Sequence, residues 1–453
     1  MIVSGTRKPS WGFGLAGLIG VALVVSIFTE AGFAQQFLTG RAVGGVVVDA
    51  TGLLGRATAV ELEELRKMQA AASSRIPEPM QGRVPLRKIS LAGINRALQE
   101  ALDSGWPIPD EVYCLGGLQD VCYVIGDREG KDILLVGPAE GWKPGAGGVL
   151  VGASTGRAVM LLDDLVVALR TVARPKPEVI GCSINPRTDR LGELERFTRG
   201  MPANVSAEAL AARIEGILGP QEVTITGVPA DSHFARVLIS ADYRMKRMGL
   251  GLERAPVADL PPFTTFIRGE AAGMMPRWWL VPEVTSLQHD PDGLVWQVPE
   301  VAVKTLSETQ FLGMRDPGGR TGRSVPGAER WAEVMTRRYD ELAKADPIFD
   351  QVRNCMELSL IAAIIVNYRL PERVGADISL LLDEGRFPRT KIQPATKVPS
   401  ESVVVRSGRA AFVACGGVEI NPWSILARSN ENPELQKVSS EMRLENASGW
   451  WSN

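Results

Sequence analysis

The stretches "EVIGCSINP" (178–186), "TDRLGELERFTRG" (188–200), "SAEALAARIEGILG" (206–219), "EVTITGVP" (222–229) and "SHFARVLISADYRMKRMGLG" (232–251) decide the fold. The first and fourth are short, apolar and rich in β-branched residues, and the fourth alternates as a strand does. The second and third carry helical spacing, and Ser206 stands where an N-cap belongs. In the fifth, Phe234, Val237, Leu238, Ala241, Met245 and Met248 recur on one helical stripe, with Asp231 or Ser232 as the cap. Strand–helix–helix–strand–helix predicts a small α/β sandwich, with helices packed on one face of a sheet.

Upstream, "LAGINRALQEALDSG" is helical behind a Ser90 cap, with Leu91, Ile94, Leu98 and Leu102 on one face. "DEVYCLGG", "DVCYVIGD" and "KDILLVGPAEGW" predict an antiparallel meander, and Met160–Ala173 a helix. Downstream, "MPRWWLVPE" and "DGLVWQVPEVAVKTL" read as strands. "GAERWAEVMTRRYDELAKA" and "IFDQVRNCMELSLIAAIIVNYRL" read as a helical hairpin whose second member is deeply buried. "SVVVRSGRAAFVACGGVEI" returns to strands, and the polar tail from 428 is expected to be loose. The expected class is α+β and multi-domain, with boundaries at 1–34 (leader), 35–84 (segment and linker), 85–175 (strand-rich), 176–255 (sandwich), 256–427 (mixed, with the hairpin) and 428–453 (tail).

Residues 1–34 read as an export signal. Arg7 and Lys8 precede the apolar run Trp11–Phe28, and Gly32 and Ala34 sit where a signal peptidase reads small residues. The chain is therefore expected to be periplasmic or extracellular; an uncleaved N-terminal anchor is the competing reading. No later run is long enough to span a bilayer: Leu358–Val366 is short and flanked by Glu357 and Asn367. The net charge of −2 becomes −3 once Arg7, Lys8 and Glu30 leave with the leader, which gives no reason to expect nucleic acid as a partner.

Candidate chemistry is sparse. Asp242 and Lys246, four apart on one helical face, with Arg244 between them, form the densest polar cluster. They would be a proton-transfer pair at a cleft edge with Arg244 near an anionic substrate, or simply a solvated face. His233 and His289 are far apart, and neither has the neighbours a transition-metal site needs, so no metal or cofactor is expected. His233 with Asp231 as orienter is a weak catalytic alternative. Of the five cysteines, Cys114 and Cys122 flank a Gly-rich turn and could bridge it in an oxidising compartment; Cys182 or Cys415 would be nucleophiles only with depressed pKa values. "RDPGGRTGR" could hold an anion through Arg315, Arg320 and Arg323. Adjacent strand residues face opposite sides, so one of Trp278 and Trp279 is expected in the core and the other outside, a hint of carbohydrate or protein contact; Trp450–Trp451 could dock on another surface.

At "IGCSINP", "LGELERFTRGM", "GVPADSHFARVLISADYRMKRMGLGLE", "PRWWL" and "IFDQVRNCMELSLIAAII" the chain resembles a family of exported proteins of planctomycete bacteria, catalogued as a domain of unknown function. The resemblance implies an envelope or extracellular location and brings no activity, cofactor or catalytic residue. Such relatives have an Asp where this chain has Asn185, which weakens any role needing a carboxylate there. The expected function is a non-catalytic structural or interaction component of the envelope, with an envelope protein or a cell-wall polymer as partner. An exported enzyme using the Asp242/Arg244/Lys246 face and a cell-wall carbohydrate-binding protein are the alternatives.

Overall fold

The computed structural model describes residues 42–200, 205–267, 275–316, 325–405, 410–442, 444 and 449–453. The predicted leader lies outside these residues. The architecture is mixed α+β, built on two principal sheets.

The first sheet has six strands, in the order Ala302–Ser307, Arg277–Glu283, Cys415–Ile420, Ile180–Asn185, Gln221–Thr226 and Lys397–Val398. Neighbours run antiparallel except Arg277–Glu283 beside Cys415–Ile420, which is parallel. Ile180, Cys182 and Ile184 are buried while the alternate residues are half-exposed, the pattern of a strand with one covered face. The helix His233–Leu250 packs against Ile180–Asn185 and Cys415–Ile420. Ser232 caps it by accepting from the Ala235 amide at 3.1 Å. Every residue of this helix except Arg244 is buried, so the stripe read from sequence is only part of its buried surface. The long helix Pro347–Asn367, buried at each position from Pro347 to Ile365, packs on it and on Leu162–Val172.

The helices Thr188–Arg199 and Ala207–Leu218 form as read, with Ser206 capping the second. They pack on each other, and the second packs on the hairpin Val403–Val405/Ala410–Phe412; Leu210, Ile214, Leu218 and Val413 make a separate small core there. The sandwich expected from sequence thus carries one principal helix against its sheet rather than three.

The second sheet has seven strands, in the order Asn430–Glu431, Gln288–His289, Val295–Gln297, Tyr123–Asp127, Asp132–Ala139, Val84–Ser90 and Trp451–Ser452. Two expectations change here. Asp110–Tyr113 is a short helix followed by a tight turn at Leu115–Gly117, so the meander lacks its first strand; Gly116 and Gly117 adopt positive φ (61° and 81°) to make that turn. The polar tail is not loose where it is described. Trp451 pairs with Ile89, the Ser90 amide donates to the Trp450 carbonyl at 2.8 Å, and Arg87 lies over the Trp451 ring at 5.4 Å. The terminal tryptophans therefore dock on the chain's own sheet edge. Farther on, the predicted helix over 327–345 breaks at Arg338 into Pro326–Arg337 and Tyr339–Ala345. The largest buried cluster runs from Val43 to Leu426 and draws on both sheets and the long helix.

Candidate functional site: a sealed polar helix and an open groove

The helix His233–Leu250 carries the charged residues singled out from sequence. Lys246 Nζ lies 2.8 Å from Asp242 Oδ2 and also donates to the carbonyls of Ile184 (3.0 Å) and Gly416 (3.2 Å). Asp242 is fully buried and Lys246 nearly so. Burial pushes the Asp242 carboxyl up to about 6 while the Lys246 charge pulls it down. The pair is neither a solvated face nor a cleft edge: it is turned onto the carbonyls of two neighbouring strands. The cavity beside Lys246, shared with Tyr243, Arg247 and Glu401, is about 20 Å³, room for a water and no more.

Arg244 is equally committed. Its Nε lies 2.9 Å from Glu253 Oε1, and its Nη1 lies 2.7 Å from Asp346, the N-cap of the long helix. Arg244 therefore ties two helices together instead of facing an anionic substrate. Cys182 and Cys415 are both buried, and burial raises both thiols, Cys415 to about 11 despite Lys246 nearby, so neither is a ready thiolate. Gly416 explains the "CGG" run: its φ is +116°, and a Cβ there would stand 1.9 Å from the Trp278 carbonyl oxygen.

Cys114 and Cys122 are free thiols in the structure. Cys114 closes the short helix Asp110–Tyr113, and Cys122 precedes the strand Tyr123–Asp127, so they do not sit on paired strands of one hairpin. Burial raises both, Cys122 to about 11.

Sequence reasoning missed a buried acid–base contact. His233 Nδ1 lies 2.9 and 3.0 Å from the two oxygens of Asp164, and both side chains are buried. Beside them, burial raises the Asp163 carboxyl, which accepts from the Tyr113 hydroxyl at 3.3 Å. The orienter proposed from sequence, Asp231, instead pairs with Arg389 at 2.5 Å. The signal available was "DD" at 163–164 inside an otherwise apolar helix, whose side chains must find partners once buried. His289 is a packing residue: its Nδ1 lies 2.7 Å from the Asp290 carbonyl oxygen, and its ring lies 4.7 Å from Trp296. Glu357, at the edge of the apolar run, is buried and accepts from the Val121 amide at 2.6 Å; burial, then the Asp120 carboxylate, raise it well above the usual range.

The accessible site lies on the other side of the six-stranded sheet. Trp278 is wholly buried, 4.4 Å from Trp331, whereas Trp279 points the other way and stacks on Phe311 at 4.3 Å. Along this outer face runs a groove of about 680 Å³. Val281 and Glu419 line it from the strands, Gln310, Met314 and Arg315 from the helix Glu308–Arg315, and Asn421, Ser424 and Arg428 from in and around the helix Pro422–Leu426. Arg315 lies 3.6 Å from Glu419. Arg320 and Arg323, its expected companions in holding an anion, lie outside the described residues.

Residues 182–263 match a family described as "Protein of unknown function (DUF1598)". The matched segment holds most of the strand Ile180–Asn185, the two satellite helices and the central helix with His233, Asp242, Arg244 and Lys246. No curated protein and no solved structure matches the chain. Among the described residues, no group of three or more His, Cys, Asp or Glu could hold a metal ion, and no helix is long and apolar enough to cross a membrane.

Proposed function

We propose that this protein is a non-catalytic structural or interaction component of the cell envelope, carried out of the cytoplasm by residues 1–34. The supporting observation is the commitment of the central helix. Lys246 is satisfied by a carboxylate and two strand carbonyls, with no room beside it for a substrate. Charges spent in this way hold elements together. Fractionation and N-terminal sequencing after expression in a bacterial host, followed by sizing with envelope extract, test the reading. A chain beginning at Gln35, found outside the cytoplasm in a complex larger than the monomer, is expected. Retention in the cytoplasm, or a strict monomer with no envelope partner, overturns it; a membrane-bound chain keeping Met1 replaces the cleaved leader with an anchor.

An enzyme is the second reading, moved from the Asp242/Arg244/Lys246 face to the Asp164–His233 contact, because a carboxylate on Nδ1 is what orients an imidazole for proton transfer. Screening ester, amide and phosphoester substrates tests it: turnover abolished in Asp164→Asn would favour catalysis. Carbohydrate binding, read from Trp278, Trp279 and surface glycines, loses Trp278 to the core; absence of binding to cell-wall glycans removes it.

A further inference from the structure

The groove on the outer sheet face has an imbalance of hydrogen-bonding groups. Its two carboxylates are already held by cations: Glu283 by Lys304 and Glu419 by Arg315. Burial raises the Glu419 carboxyl above its ordinary value, while Arg315 pulls it down. The donors are less committed. Arg428 is exposed, its Nε donates to the Ser424 carbonyl at 3.1 Å, and among the described residues no carboxylate pairs with it. Asn421 and Gln310 each use the side-chain oxygen locally, accepting from the amides of Ser424 (3.2 Å) and Ser307 (2.9 Å). Their NH₂ groups have no partner among the described residues. The same groove is lined by the apolar side chains of Val281, Leu306, Met314 and Ile425, and Met314 is about half exposed. The volume of about 680 Å³ is in the range of small-molecule sites.

We propose that this groove binds an amphiphilic anion. An acidic oxygen headgroup, carboxylate or phosphate, is held by Arg428 with the amides of Asn421 and Gln310, and an aliphatic body lies over Val281, Leu306, Met314 and Ile425. Uncommitted donors select an acceptor-only headgroup, because guanidinium and amide N–H groups match carboxylate and phosphate oxygens. The apolar lining selects a body that leaves water. The inference does not depend on where the protein resides or on whether it is an enzyme.

Calorimetric titration of the full chain with octanoate, octyl phosphate, octylamine, octanol and inorganic phosphate tests it. Octanoate or octyl phosphate is expected to bind at least roughly tenfold more tightly than octanol or octylamine, the difference of a charge-assisted contact. Whichever of the two binds more tightly identifies the headgroup. Arg428→Gln should erase that preference while leaving the thermal midpoint unchanged, and Met314→Ser should weaken octyl phosphate without changing the response to inorganic phosphate. The proposal is overturned if neither anion binds, if octanol binds as well as octanoate, if inorganic phosphate binds as tightly as octyl phosphate, or if Arg428→Gln binds like the wild type.

Discussion

The two faces of the six-stranded sheet use the same strands to opposite ends. On the inner face, Lys246, Asp242 and Trp278 are buried; Lys246 is held by Asp242 Oδ2 and two strand carbonyls, and the Trp278 Nε1 donates to the Ala328 carbonyl, while Asp242 Oδ1 has no hydrogen-bond partner among the described residues. On the outer face, Arg428 and the amides of Gln310 and Asn421 line an accessible groove with donors in excess. Residue type does not separate them, since both faces carry Lys or Arg, a carboxylate and a tryptophan. Burial does: a charge removed from water must be paired within the fold, whereas a charge left at a groove remains available to a ligand.

The inner face is most sensitive at Lys246. Lys246→Met leaves the Asp242 carboxylate buried without its cation and should cost about 3–5 kcal/mol in urea denaturation, while the double change Asp242→Leu/Lys246→Met should recover most of that loss. If the single change is neutral, the pair is not sealed and the inner face is available for chemistry after all. Trp278→Ala should also cost roughly 3–5 kcal/mol through the cavity it leaves, against about 1 kcal/mol for Trp279→Ala, which gives up mainly one stacked contact. Equal losses would mean the two tryptophans are not divided between core and surface.

A pH series sharpens the same contrast. The Asp242 carboxyl is raised in the fold to about 6 from an ordinary 3.8. A raised folded pKa contributes stability that is fully present below the unfolded value and is lost as pH rises through the folded one. Wild type should therefore lose stability relative to Asp242→Asn between about pH 4 and pH 7, read from denaturation midpoints. A flat difference would show that Lys246 offsets burial completely. The smallest effect is expected outside: Arg428→Gln should change stability by no more than about 0.5 kcal/mol, since among the described residues no carboxylate holds that side chain.

Much of the local structure was legible. Ser90, Ser206 and Ser232 cap the helices they precede, because an N-cap is a contact within a few residues. The opposite fates of Trp278 and Trp279 follow from strand alternation. The site was much less legible. Asp164 and His233 are 69 residues apart and meet only when the helices beginning at Leu162 and His233 come together. Asp231 is near His233 in sequence, but Arg389 takes it instead. The polarity of the tail suggests a loose segment, yet backbone pairing of Trp451 to Ile89 depends on the free edge of Val84–Ser90, which no local composition reveals.

The sequence by itself determined the α+β class, most helices and strands, and the alternation that sends one tryptophan inward, since these depend on propensity, capping and periodicity over short spans. The tertiary structure alone decided which polar residues are sealed and which remain open. Asp242 and Lys246 look like an exposed helical pair until two strands place their carbonyls against Lys246, and the groove exists only where strands and helices from distant parts of the chain converge. Burial is a property of the assembled packing, and burial sets whether a charge holds the fold together or stays free to meet a ligand.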